Sequence, residues 1–157
     1  MAIEFSPDKL SRVNELISRY PHKEAAVLPV LYLAQEEFGY LSPESIEYVA
    51  KLMGIPMARL YGTVSFYSLL YMKPMGRHHI QVCRTFPCAL LGAEKITDSI
   101  KKKLGIEIGE TTADGKFTLS EVECLASCGT APMMQINDKY YENLSEEKTE
   151  AILKDLK

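Results

Sequence analysis

The sequence predicts an α+β protein in two parts: a helical bundle over residues 1–75, then a β-α-β-β-β-α domain over 76–157. Apolar residues recur at helical spacing through the first part, between Ser-Pro starts and Gly stops. Past Lys73-Pro74-Met75-Gly76 the pattern changes to short apolar runs joined by turn residues. The chain has 4 cysteines, Cys83, Cys88, Cys124 and Cys128, and all fall in the second part.

In the first part, Ser6-Pro7 offers an N-cap and a proline at the first helical position, followed by Leu10, Val13, Leu16, Ile17 and Tyr20 on one stripe. A second helix is expected from Lys23 to Phe38, with Pro29 in its early turns and Gly39 as its stop. Ser42-Pro43 starts a third, which buries Ile46, Val49, Ala50 and Met53 and closes at Gly54. Ile55-Pro56 opens a fourth, expected to run to about Leu70 and to loosen near Gly62. Short loops between helices of this length imply antiparallel packing.

In the second part, His78–Cys83 reads as a strand and Ala89–Leu104 as a helix with Ala93, Ile96, Ile100 and Leu104 inward. Asp114-Gly115 marks a turn before a strand from Phe117 to Cys124. Asn137-Asp138 joins the strands Met133–Ile136 and Lys139–Tyr141 as a hairpin. Ser145 caps a last helix, with Glu146 and Glu147 in its first turn. A right-handed crossover makes the first two strands parallel neighbours, which is the connectivity of a thioredoxin-like fold. Both cysteine pairs then follow the carboxyl ends of parallel strands and meet at one sheet edge.

The composition excludes several classes. With 46% hydrophobic and 25% charged residues the chain is ordinary globular material, and a net charge of −3 disfavours nucleic acid as main partner. The Ser42–Leu70 pattern imitates a helix-turn-helix, but its second helix carries a single basic residue, Arg59. Lys101-Lys102-Lys103 sits at a helix end, where it complements the dipole. The N-terminus shows no secretory signal, and the longest uncharged apolar stretch, Ala25 to Ala34, is too short for a bilayer, which needs about 20 residues. A soluble, intracellular chain is expected. No G-x-G-x-x-G or P-loop occurs, so NADH and flavin are not expected to bind this chain alone.

The cysteines stand as Cys83-x4-Cys88 and Cys124-x3-Cys128. Zinc knuckles favour C-x2-C, whereas these wider gaps suit a two-iron cluster whose irons each take two thiolates. Zinc, paired disulfides and unligated thiols are the alternatives. Disulfides suit neither the expected compartment nor a chain of 157 residues, long enough to build its own core. A thiol–disulfide oxidoreductase is the third functional class, but its signature is C-x2-C, narrower than either pair.

These motifs, with Gly129-Thr-Ala-Pro-Met-Met-Gln-Ile-Asn-Asp138 after the second pair, resemble the thioredoxin-like [2Fe-2S] ferredoxins. Leu33-Ala-Gln-Glu-Glu-Phe-Gly-Tyr-Leu-Ser-Pro43, Gly54–Tyr67 and Thr112–Leu119 narrow the resemblance to the E-subunit family of NADH:quinone oxidoreductase, respiratory complex I. NAD-linked formate dehydrogenases and hydrogenases carry similar subunits. The resemblance implies a [2Fe-2S] cluster on Cys83, Cys88, Cys124 and Cys128, and a flavin- and NADH-binding F subunit as partner, which carries FMN. It implies a cytoplasmic place at the membrane periphery, in the hydrophilic arm of the complex. The isolated chain is then an electron carrier, and an enzyme only as a subunit.

If each loop serves the nearer metal, Cys83 and Cys88 bind one iron and Cys124 and Cys128 the other. Backbone N–H groups of Arg84, Thr85, Ser127, Gly129 and Thr130 are the expected donors to sulfur, together with the N-terminus of the helix expected near Ala89. Arg84 is a candidate for neutralising charge, with a solvated loop arginine as the alternative. His78 and His79 are expected at the surface rather than as ligands, and Pro132 stands where thioredoxin-like folds place a cis-proline. The methionines read as core and interface filler. Tyr61, Phe66, Tyr67 and Tyr71 read most simply as bundle core, with a partner-facing role as the alternative.

Overall fold

The structure, a computed structural model, describes residues 3–156. The chain divides into two compact units, Met1–Pro74 and Met75–Lys157.

The first unit contains α1 (Pro7–Ser18), a 3-10 turn (Lys23–Ala26), α2 (Val27–Phe38), α3 (Pro43–Met53) and α4 (Met57–Phe66). Val13, Val30, Leu31, Leu41, Ile46, Met53 and Leu60 form its buried core. Ser42 caps α3 by accepting the Ser45 N–H at 3.2 Å, and Gly54 ends it in the left-handed region at φ 64°.

Three expectations here are corrected. The segment Lys23–Phe38 is not one helix: Pro29 has no N–H for the Ala25 carbonyl, and the chain up to Ala26 stays in the tighter 3-10 form. The fourth helix passes Gly62 without a break but stops at Phe66, because α2 captures the chain that follows. Gln35 donates to Leu69 O at 2.9 Å and accepts the Tyr71 N–H at 2.6 Å, while Leu41 N–H donates to Tyr71 O at 2.7 Å. Tyr61, Phe66 and Tyr67 are therefore not core. They are 44%, 80% and 42% exposed.

The second unit runs β1 (His78–Cys83), α5 (Phe86–Leu90), α6 (Ala93–Leu104), β2 (Phe117–Val122), a 3-10 turn (Cys128–Thr130), β3 (Met134–Ile136), β4 (Lys139–Tyr141) and α7 (Glu146–Asp155). The sheet order is β2-β1-β3-β4. β1 and β2 are parallel, from His78 beside Phe117 to Cys83 beside Val122, and β3 and β4 are antiparallel. Ile80, Val82, Ile100, Leu119, Met133 and Met134 fill the core. Ser145 caps α7 by accepting the Lys148 N–H at 3.2 Å, and the Ala131–Pro132 bond is cis.

The helix expected from Ala89 to Leu104 is two helices. Phe86-Pro87 starts α5 before Ala89, and Gly92 at φ 96° breaks the axis, a conformation with little cost for glycine alone. β2 ends at Val122, two residues short of the expected Cys124, which leaves Cys124 in a loop and Cys128 at the start of the 3-10 turn. Among the described residues, no helix is long and apolar enough to cross a membrane.

Candidate metal centre

β1 delivers Cys83 at its last residue, level with the last residue of β2. Cys88 lies on the one-turn helix α5. The loop after β2 carries Cys124, passes through Ala126 at φ 61° and enters the 3-10 turn at Cys128. Parallel pairing thus brings both loops to one end of the sheet. All four cysteines are free thiols; Cys83 and Cys88 are buried, while Cys124 and Cys128 are exposed.

Cys83 and Cys88 are near enough to shift each other's pKa, and so are Cys124 and Cys128. Burial pushes Cys88 up to about 11, reinforced by the neighbouring Cys83 thiol. Burial also penalises a charged Cys83, but the Leu125 and Thr85 N–H groups and the Cys88 thiol outweigh it and lower its pKa. The neighbouring Cys124 raises the pKa of Cys128, and Cys83 adds to the rise across the two pairs. Ala126 N–H donates to Cys124 Sγ at 3.3 Å, and Met133 N–H points to the Cys88 sulfur. The Thr85 hydroxyl is buried without a hydrogen bond of good geometry, yet it lies near enough to Cys83 to lower that pKa.

Of the expected donors, Thr85 N–H reaches a sulfur. Arg84 N–H instead donates to Val122 O at 3.0 Å and Thr130 N–H to Ser127 O at 3.1 Å. Leu125, Ala126 and Met133 supply N–H groups to sulfur that were not expected. Sequence reasoning missed them because backbone direction in a loop leaves no mark on side-chain identity; Ala126 even stands where a left-handed φ favours glycine. The Arg84 guanidinium pairs with Glu123 at 2.6 and 3.0 Å, so its charge is already compensated. The helix expected to aim a dipole from Ala89 is the five-residue α5, with Cys88 inside it.

His79 is not at the surface. It is 4% exposed and shares a 2.8 Å hydrogen bond with Ser120 Oγ. Both histidines stand at the start of β1, with Cys83 at its far end, about 13 Å beyond His79 at strand rise.

Among the described residues, no three His, Cys, Asp or Glu side chains gather closely enough for a single metal ion. Two cysteine pairs at one end of the sheet, furnished with N–H donors, instead fit a group with two metals that each take two thiolates. The donor set is the right chemistry for an iron–sulfur cluster.

Comparison with known proteins agrees. Residues 13–157 match the thioredoxin-like [2Fe-2S] ferredoxin family. The chain is 48% identical to the E subunit of NADH-quinone oxidoreductase from Rickettsia felis, covering 98% of this chain and 95% of that one. It is 42% identical to NADH-quinone oxidoreductase subunit 2 of Thermus thermophilus, covering 98% and 86%. In fold it is similar to a NAD+-reducing [NiFe]-hydrogenase chain, with TM-score 0.72 and 19% identity over 83% of this chain and 22% of the longer one.

Proposed function

We propose, for a chain that belongs to the thioredoxin-like [2Fe-2S] ferredoxins and to the E-subunit family of NADH-quinone oxidoreductase, a role as one-electron carrier beside a flavin. Cys83 and Cys88 hold one iron of a single [2Fe-2S] cluster, and Cys124 and Cys128 hold the other. The observation that carries this reading is the convergence of two cysteine pairs beyond the same end of parallel β1 and β2. When bound, the cluster supplies one-electron chemistry at a low potential, on the order of −400 mV for all-thiolate ligation.

The chain's own residues set the conditions. N–H groups of Leu125 and Thr85 on Cys83, Met133 on Cys88 and Ala126 on Cys124 stabilise thiolate charge without adding ligands. Burial of Cys83 and Cys88 keeps water from the inner pair.

The partner in this reading is the F subunit, which holds FMN and NADH, and the assembly is the peripheral, cytoplasmic arm of complex I. The helical bundle, residues 1–75, is its docking surface. Exposed Phe66, Tyr61, Tyr67 and Leu69 support this, since the centres of interfaces are rich in such side chains.

Anaerobic purification is expected to give about two irons and two sulfides per chain, and dithionite an S = 1/2 signal from one centre. Replacing any one of Cys83, Cys88, Cys124 or Cys128 by alanine should abolish that signal. Stoichiometric zinc without acid-labile sulfide would end the reading.

A further inference from the structure

The exposed loop of Cys124 and Cys128 is held by a residue from outside it. Glu142, half-buried just past β4, accepts hydrogen bonds on one carboxylate oxygen from Ser127 Oγ and, at 2.7 Å, from Thr130 Oγ1. The two hydroxyls lie 2.7 Å apart, and Thr130 Oγ1 is 3.2 Å from Ser127 O. The backbone repeats the link: Asn143 N–H donates to Thr130 O at 2.7 Å and Leu144 N–H to Pro132 O at 3.0 Å. Lys148 Nζ donates to Glu142 O at 2.5 Å, which ties the same point to α7.

Ser127 and Thr130 bracket Cys128. Each hydroxyl has one proton. Whether that proton goes to Glu142 or to the neighbouring oxygen within the turn, none is left for a cluster sulfur. The hydroxyls also hold the Glu142 carboxyl below its ordinary range, so it is ionised at neutral pH.

We infer that Glu142 is a positioning residue for the outer cysteine pair, fixing the Ser127–Thr130 turn around Cys128 and holding a negative charge against that turn. The charge has an electronic consequence. Charge and hydrogen bonds around the sulfurs set an iron–sulfur potential, and both the Glu142 carboxylate and the withheld hydroxyl protons lower it. This electronic half rests on the cluster reading above; the positioning half does not.

The test uses the full-length protein as isolated and the Glu142→Gln variant, which keeps size and loses charge. Iron and sulfide should stay at the wild-type level while the midpoint potential moves to a more positive value. Amide hydrogen exchange over residues 125–131 should quicken by roughly tenfold, the equivalent of one charge-assisted hydrogen bond, with β1 and β2 unchanged. Glu142→Asp, which keeps the charge, should restore the potential toward wild type. Wild-type exchange in Glu142→Gln would overturn the positioning role, and an unmoved potential in a loaded variant would overturn the electronic one. If no preparation holds iron, the cluster reading has failed, and exchange alone decides the positioning role.

Discussion

His79 shows how a single buried residue writes itself into the pH dependence of the whole fold. Burial lowers its pKa to about 4 from 6.5, so the folded chain holds the ring neutral where the unfolded chain would protonate it. Stability is therefore full above about pH 6.5 and falls as the pH drops toward 4, by about 3 kcal/mol if the shift is fully expressed. Urea midpoints at pH 7.5 and pH 5 should differ more for the wild type than for His79→Gln, which can still bond Ser120 but does not titrate. Equal pH dependence in the two proteins would clear His79 of the effect. The sequence placed this residue at a strand end but not in the interior. A histidine on a half-polar strand reads as exposed until the partner strand supplies Ser120 against it.

At the level of elements, the legible parts were those set by local chemistry. Ser42-Pro43 and Gly54 bound α3 where the sequence put them, and Asn137-Asp138 joins β3 to β4. The misread parts were set by distant atoms. Gln35 ends α4 from another helix, and the loop amides that meet the cysteine sulfurs answer to the path of the chain between two strands. Gly76 is a further case. A Cβ there would sit 2.7 Å from the backbone of Phe117, and the Gly76 N–H donates to Thr118 Oγ1 at 2.6 Å. The strand pair β1–β2 thus closes at its lower end on a residue without a side chain. Gly76→Ala should cost about 1–3 kcal/mol by displacing backbone, read as a lowered urea midpoint. A midpoint within error of the wild type would show that the strand start yields freely.

The molecule as a whole has two separate apolar cores, one around Leu31, Ile46 and Leu60 and the other around Ile80, Leu119 and Met134. The second unit contains all four cysteines and the complete sheet. A fragment beginning at Met75, which keeps the Gly76 bond, should fold and carry the visible spectrum of the intact protein. On the docking proposed above, it should lose affinity for the flavin-bearing partner, because the exposed Phe66 and Tyr67 are gone. Full-length affinity in a pull-down by the fragment would show that docking lies elsewhere. A colourless fragment would make the helical unit a structural support.

On the cluster reading proposed above, the unequal burial of the two thiol pairs gives cluster loading a direction. Cys124 and Cys128 are exposed, while Cys83 and Cys88 are 3% and 2% exposed. A donor handing over a preassembled cluster meets the outer thiols first, and the inner ones exchange in only as the edge of the fold breathes. Timed alkylation of the iron-free chain should accordingly label in two waves, Cys124 and Cys128 before Cys83 and Cys88. The lowered pKa of Cys83 favours that thiol alone, whereas Cys88, pushed up to about 11, should react last. Simultaneous labelling would mean that the edge opens faster than the reagent reacts, and that loading has no preferred side.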